Sequence, residues 1–261
     1  MPKVKNIVAA LPDVERIDLD ALRAGIASGG VEMVCVLGPT ASGKTRYAVE
    51  LAHALGNAEI ISADSRQVYR RMDIGTGKDL SEYGSVPYHL IDIVEPGTQY
   101  NVYRFREDFA AAFADIRARG AFPILCGGTG LYISAVTSGY DFASKKPLSA
   151  RLESLPEKVF FIGTLVSREV RNARIDSRLD ARLQEGMIAE IQGLLDEGID
   201  PQVLISYGLE YKFVTQYLLG ELDFPTMPER LAIAIHQFAK RQMTWFRGME
   251  RSGIRIHWTE V

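Results

Sequence analysis

Short, mostly apolar runs alternate along this chain with longer stretches whose apolar residues recur every three or four positions. Runs of strand length occupy 31–37, 59–61, 89–94, 122–126 and 159–162, and a last one covers 254–258. Helical periodicity predicts helices over 44–55 and 102–119, then over 168–197, 209–219 and 228–247. Strands that alternate with helices and read as continuous hydrophobic runs predict an α/β fold, a mostly parallel sheet flanked by helices, with a helical C-terminal part. Ligands of such sheets bind beyond the carboxyl ends of the strands. Residues 1–30 read as an N-terminal helical extension of one or two segments, with Asp18 or Asp20 as cap, closing at Ser28-Gly29-Gly30. Residues 31–261 then form one core domain, in which 144–147 reads as a loop.

Composition narrows the class. A chain of 261 residues, 47% hydrophobic, buries a sizeable core without disulfides or a structural metal. Its two cysteines, Cys35 and Cys126, sit inside apolar runs and read as core residues of a protein in a reducing compartment. No apolar run approaches the roughly 20 residues that span a bilayer, and the N-terminus turns acidic too early for a signal or transit peptide. A cytoplasmic protein, monomeric and without membrane contact, is the expectation. A net charge of −3 excludes a whole-surface basic field but not a local basic face.

Three motifs carry chemistry. Gly38-Pro39-Thr40-Ala41-Ser42-Gly43-Lys44-Thr45 matches the phosphate-binding pattern G-x-x-x-x-G-K-[ST] between a predicted strand and a predicted helix, as in P-loop NTPase-like folds. Backbone N–H groups and the helix N-terminus suit phosphate oxygens, Lys44 a bridging or terminal phosphate, and the Thr45 hydroxyl a Mg²⁺ ion. Asp64 follows the second strand, at a carboxyl strand end beside this loop. It is placed either to hold the magnesium through water or to take a proton from a nucleophile. Gly127-Gly128-Thr129-Gly130 ends the 122–126 strand on the same edge, where small residues admit a ligand and Thr129 offers a hydroxyl.

Two helices add basic groups. Arg171, Arg174, Arg178 and Arg182 share one helix face, either neutralising a departing diphosphate or pairing with Asp176, Asp180 and Glu185 on a solvated surface. The last long helix presents His236, Gln237, Lys240, Arg241, Thr244 and Arg247, with Phe238 and Trp245 as its packing face. It is either an exposed helix or a holder of an RNA backbone or nucleotide phosphate.

Six ordered stretches form a more specific pattern: the phosphate loop, Ser-Ala-Asp-Ser-Arg-Gln-Val-Tyr from Ser62, Met72-Asp73-Ile74-Gly75-Thr76, His89-Leu90-Ile91-Asp92, Gly-Gly-Thr-Gly-Leu131-Tyr132, and Ala-Lys-Arg-Gln-Met-Thr-Trp-Phe-Arg from Ala239. Over residues 31–142 and 165–258 the chain closely resembles the tRNA dimethylallyltransferase family. The resemblance implies transfer of a dimethylallyl group from dimethylallyl diphosphate to N6 of an adenine, in most members adenosine 37 of the tRNA anticodon arm. The phosphate loop then holds the donor's diphosphate with Mg²⁺ as cofactor. Asp64 matches the general base and Thr129 a diphosphate contact. Arg174 looks like the arginine on the leaving group, with Arg178 a turn away, and Gln67 faces the acceptor. Ser65, Lys240, Arg241 and Arg247 complete the expected acceptor side.

The chain departs from the family pattern between Gly-Gly-Thr-Gly and the arginine-bearing helix. Only 136–164 stands where tRNA-modifying members carry a sizeable helical insertion, and no His-Pro-Asn-Asp-like segment is present. The shortening leaves the donor side whole and opens two acceptors, tRNA through a smaller surface or a free adenine nucleotide such as AMP. From other classes, a P-loop nucleotide kinase or ATPase and a paralogue that only binds RNA compete with these readings.

Overall fold

The computed structural model describes residues 11–137, 140–141, 146–147 and 155–261. The chain enters through α1 (Leu19–Ala27), whose N-cap Asp18 accepts from the N–H groups of Asp20 and Ala21 at 3.0 Å. The extension expected over 1–30 is one helix within its described part; residues 1–10 lie outside the described residues.

The α/β core follows as β1 (Met33–Leu37), α2 (Lys44–Leu55), β2 (Ala58–Ser62), β3 (Tyr88–His89), α3 (Val102–Ala118), β4 (Phe122–Gly127), α4 (Gly130–Thr137), the two-residue strands β5 (Tyr140–Asp141) and β6 (Lys146–Pro147), and β7 (Val159–Leu165). A helical stretch comes next: α5 (Arg168–Glu185), α6 (Met187–Asp196), α7 (Pro201–Tyr207), α8 (Leu209–Leu218) and α9 (Thr226–Arg251), before β8 (Ile256–Glu260) returns to the sheet. The main sheet runs β3-β2-β4-β1-β7-β8, and every pairing in it is parallel. β1 and β2 are buried at every residue, as central parallel strands covered on both faces must be. One cluster joins Phe105, Phe109 and Ile116 of α3 to Phe246 of α9 and Trp258 of β8. A second packs α2 and α1 against the sheet, and a third holds the α5–α9 helices together.

Four expectations need correction. The run 89–94 is not a strand: pairing stops at His89, because Leu90 and Asp92 take left-handed backbone at φ 62° and 56°, leaving only an isolated Tyr69–Val94 bridge. The helix predicted over 168–197 breaks at Gly186 (φ 107°), which caps one helix and opens the next. The last helix begins at Thr226 and runs to Arg251, with Pro228 inside its first turn where its missing N–H costs nothing. Of the loop expected over 144–147, Lys146–Pro147 pairs antiparallel with Tyr140–Asp141, and 144–145 lie outside the described residues. Pro201–Tyr207 also forms a helix that periodicity alone does not announce; Asp200 caps it and Pro201 opens it.

The site edge is fixed by close contacts deeper in the sheet. Gly163 of β7 is the register partner of Trp258, and a Cβ there would fall 2.2 Å from the indole Cε3. The indole is 2% exposed and donates from Nε1 to Glu250 Oε1 at 2.8 Å, so it has no room to yield. Gly163→Val is therefore expected to lower unfolding free energy by about 1–3 kcal/mol, the range for overpacking, read as a shift in the urea midpoint. At the other end, the Glu59 carboxylate, 6% exposed, accepts from Arg119 Nη2 at 2.9 Å and shares a hydrogen bond with His89 Nε2 at 2.7 Å. The Arg119 hydrogen bond holds its carboxyl below the usual carboxylate range. A depressed carboxyl adds stability above its unfolded pKa and loses it as pH falls through the folded one. Glu59→Gln should thus be less stable than the parent at neutral pH, and the gap should close in acid, as measured by urea midpoints across a pH series.

Candidate active site

The phosphate loop leaves β1 at Leu37 under tight steric control. A Cβ on Gly38 would fall 2.3 Å from Thr164 Oγ1 and 2.5 Å from Ser42 Oγ, so only hydrogen fits. Those two hydroxyls, both buried, hydrogen-bond at 2.7 Å and tie the loop to β7. Ala41 (φ 61°) and Gly43 (φ 83°) then curl the backbone through left-handed conformations into α2, whose N-terminus has no side-chain cap. Uncapped N–H groups at a helix start are an anion seat. Burial lowers the Lys44 pKa, while Asp64 nearby acts the other way, so an arriving anion would favour its charged form.

The loop after β2 is braced on the Gly-Gly-Thr-Gly turn. Ser65 N–H donates to Thr129 Oγ1 at 3.2 Å, and Thr129 Oγ1 lies 3.5 Å from Ser65 Oγ. Asp64 Oδ1 accepts from Arg66 N–H at 2.9 Å, which sets the carboxylate within its own turn and leaves Oδ2 available. Ser62 Oγ donates to Gln67 Oε1 at 3.1 Å, and the Gln67 amide points across to Gly77 O at 3.4 Å. Gly127 permits this approach, since a Cβ there would fall 2.4 Å from Ala63 O.

One buried side chain of α9 joins the two turns. Gln242 accepts from Thr40 N–H at 2.8 Å and donates to Gly128 O at 2.9 Å. Leaving one such buried group unpaired costs about 1–3 kcal/mol, so the amide is held at both ends. Ile235, Phe238, Arg241, Gln242 and Trp245 together make α9 one wall of the cleft. Phe238 and Trp245, expected as a packing face, line the open site instead; the Trp245 indole lies on Gly130 and donates to Ser134 Oγ at 3.1 Å.

The opposite wall is the Met72–Asp79 stretch. Glu190 of α6 accepts from the N–H groups of Asp73 and Ile74 at 2.8 Å and of Gly75 at 3.0 Å, and from Tyr211 Oη at 2.7 Å. Lys78, with its side chain fully buried, anchors the other end on Asp73 Oδ1 at 2.9 Å, on Asp92 and on the Tyr69 carbonyl. Lys78, Glu190 and Gln242 are the functional supports that sequence reading missed. Lys78 and Glu190 lack any pattern that separates them from surface charges, whereas Gln242 lies within the Ala239–Arg247 motif and on the apolar side of an amphipathic helix, which marks a polar residue that must find partners.

Between these walls lies a cavity of about 470 Å³. Thr40, Ala41, Gly43, Lys44, Thr45, Asp64, Ser65, Gln67, Thr129, Arg178 and Arg241 all face it. Gly38, Pro39 and Ser42 do not, and Gly38 and Ser42 shape the loop from behind. Of the arginine row, Arg178 and Arg182 line the cleft, paired with Asp79 at 3.2 Å and Glu210 at 3.6 Å rather than with acids of their own helix. Arg174 is exposed, 3.9 Å from where a Cβ on Gly43 would stand, and like Arg171 it does not line the cleft. Lys240 is exposed beside the wall. Arg247 stands away from the cleft, paired with Glu250 at 3.2 Å. Thr45 and Asp64 are hard oxygen donors on one cavity, a set that suits a Mg²⁺ completing its shell with waters and phosphate. Among the described residues no cluster of three or more His, Cys, Asp or Glu forms a protein-only metal site.

The comparisons with known proteins fit this geometry. A family model described as IPP transferase matches residues 67–159 and 143–249, and one described as isopentenyl transferase matches 31–83. The chain is 48% identical to tRNA dimethylallyltransferase 1 of Porphyromonas gingivalis, over 88% of this chain and 94% of that one, and 45% identical to tRNA dimethylallyltransferase 1 of Parabacteroides distasonis, over 88% and 92%. The P. gingivalis alignment runs over 284 positions, more than the 261 residues of this chain, so that relative carries residues with no counterpart here. Among solved structures, the full-length tRNA isopentenylpyrophosphate transferase of Bacillus halodurans superposes with a TM-score of 0.76 at 32% identity, covering 88% of this chain and 89% of that one. A phosphate loop on a parallel sheet, the Asp64 and Thr129 turns locked together across its edge, and these likenesses over most of the length lead to one assignment: the chain belongs to the tRNA dimethylallyltransferase family.

Proposed function

We propose that this protein is a prenyltransferase that moves a dimethylallyl group from dimethylallyl diphosphate to N6 of an adenine in tRNA, adenosine 37 of the anticodon arm. The observation that carries the reading is the shared cleft: an anion seat at the start of α2 and a carboxylate on the neighbouring turn face one cavity. The tRNA acceptor is supported by the names of the relatives. No helix among the described residues is long and apolar enough to cross a membrane, and a cytoplasmic monomer belongs to the same reading.

In this mechanism the phosphate loop, Lys44 and Thr129 hold the donor's diphosphate, with Arg178 and Arg182 on the cleft wall. The N6 nitrogen attacks the first carbon of the prenyl chain, a C–N bond forms, and the C–O bond to diphosphate breaks with its electron pair leaving on the diphosphate. Asp64 accepts the proton that N6 loses. A carboxylate helps because the amine lone pair is delocalised into the ring. Charge grows on the departing diphosphate, where preorganised donors stabilise the transition state most. Mg²⁺ held by Thr45, with Asp64 through water, would supply further positive charge at the diphosphate. Arg174, whose guanidinium stands beside Gly43 of the loop, is in our reading the arginine on the leaving diphosphate. The segment 136–164 replaces the helical insertion of longer members; the two-part match of the IPP transferase model, which meets at 143–159, supports this.

Lys44→Ala is expected to reduce kcat/KM for the donor by about 100-fold or more, the cost of one transition-state oxyanion donor. Asp64→Asn should keep donor affinity near wild type and lower kcat by about 10²–10⁴-fold. Full activity in both variants contradicts these roles. The reading as a whole is tested with labelled dimethylallyl diphosphate offered with bulk tRNA, with AMP, or with ATP alone. Label in tRNA is the expected result. Label only in AMP moves the acceptor to a free nucleotide, and ATP turnover without prenyl transfer replaces the reading with a P-loop kinase or ATPase.

A further inference from the structure

The phosphate loop is backed by pieces of the chain that lie outside its motif. Gly43 has left-handed backbone (φ 83°) and opens α2 with no side-chain cap, and a glycine in that conformation is the freest joint of the loop. The space beside its α-carbon is filled from the end of β8. A Cβ on Gly43 would fall 2.9 Å from Val261 Cγ1, with Arg174 Nη1 the next side chain at 3.9 Å, so the valine stands where this glycine has no side chain of its own. Val261 is held there by its N–H, which donates to Leu165 O at 3.1 Å and carries the β7–β8 pairing one residue past Glu260.

β8 is an edge strand of the main sheet, with β7 as its neighbour there. Its outer side is taken by the segment that precedes α1. Glu15 N–H donates to Trp258 O at 2.7 Å, and the Glu15 carboxylate shares a hydrogen bond with His257 Nδ1 at 2.7 Å and lies 3.7 Å from Arg255 Nη2. The His257 ring is stacked on Phe160 of β7, with centroids 4.3 Å apart and planes at 13°, which sets its orientation. Beyond Glu15 the chain enters α1, where Leu22 is buried in one cluster with Ala48, Leu51 and Ala52 of α2, and Arg23 Nη2 donates to Ala54 O at 2.7 Å. Residues 15–23 thus touch both elements that bear on Gly43, the strand that ends against it and the helix that it opens. This stretch precedes residue 31, where the family-model match begins.

We propose that residues 15–23 and β8 form a brace for the diphosphate seat, in which Val261 is the positioning residue that fixes Gly43. This rests on the reading of the loop as the seat of the donor's diphosphate. The brace gives no group to the anion. It removes freedom from the backbone whose N–H groups must converge on phosphate oxygens, so that less order has to be gained when the anion arrives. Its loss therefore falls on donor binding, and not on the chemical step or on the acceptor.

The test uses the full chain, wild type, Val261→Ala, Val261→Thr and Glu15→Ala. Binding of inorganic pyrophosphate with Mg²⁺ is measured by isothermal titration calorimetry, and donor KM, tRNA KM and kcat are measured for prenyl transfer. Val261→Ala is expected to raise the pyrophosphate Kd and the donor KM about fivefold to tenfold, the scale of ordering one backbone residue on binding, with kcat and tRNA KM as in wild type. Val261→Thr keeps the branched shape and should restore both constants. Glu15→Ala should shift the same two constants in the same direction by about twofold to threefold, the scale of a half-exposed ion pair. Combined with Val261→Ala its effect should fall short of the product of the two, because both act through β8. Unchanged pyrophosphate affinity in Val261→Ala, a threonine variant no better than alanine, a combined effect equal to the product, or a loss spread equally over kcat and tRNA KM overturns the brace. Should Val261→Ala fail to fold, Glu15→Ala decides, and an unchanged pyrophosphate Kd there overturns it. A wild type that binds pyrophosphate but transfers no prenyl group to any acceptor sinks the functional reading and leaves the brace to the titration, whereas one that binds no pyrophosphate overturns both.

Discussion

The site depends on one buried amide. Gln242 reaches from the middle of α9 and joins two turns that belong to different strands, accepting from the phosphate loop and donating to the glycine turn after β4. A carboxylate of the same length could not donate, and an apolar side chain would orphan a backbone group at each end. The long C-terminal helix is thus the piece that closes the sheet edge into a cleft. Its five cleft-facing residues stand at spacings of three or four, apart from the adjacent pair Arg241-Gln242, as one helix face demands.

Much of the donor side was legible because its physics is local. The glycine that follows the strand, the two left-handed residues at 41 and 43, and a helix that starts at lysine all fall within eight consecutive positions, and the backbone follows the pattern. Asp64 and Thr129 were legible for a related reason, since each follows an apolar strand and parallel strands end on one edge. The 89–94 run misled because hydrophobicity reports burial and not backbone: Leu90 and Ile91 are buried, yet the chain there turns instead of pairing. That Lys240 and Arg247 do not line the cavity was not legible, because a charge on a helix does not say which way it faces.

What remained illegible is held by contacts between distant segments. The acid partners of Arg178 and Arg182 come from the 79 and 210 regions, not from their own helix. No helical spacing predicts that choice. The same holds for Arg66, whose seat is made by Gly208 and Phe238, residues far from it in sequence. Parts of a site that several elements build together are read only when those elements are placed.

The Glu190 clasp has a mechanical consequence. A single carboxylate receives three consecutive backbone N–H groups and a phenol, so one side chain of α6 ties the strip from Asp73 to Gly75 to the helical part, and buried Lys78 adds a second tie at Asp73. Displacing that flank of the cleft therefore means breaking backbone hydrogen bonds to a carboxylate and the ion pair to buried Lys78 together, so this wall is stiffer than a surface loop of equal length that is held by its own turns alone.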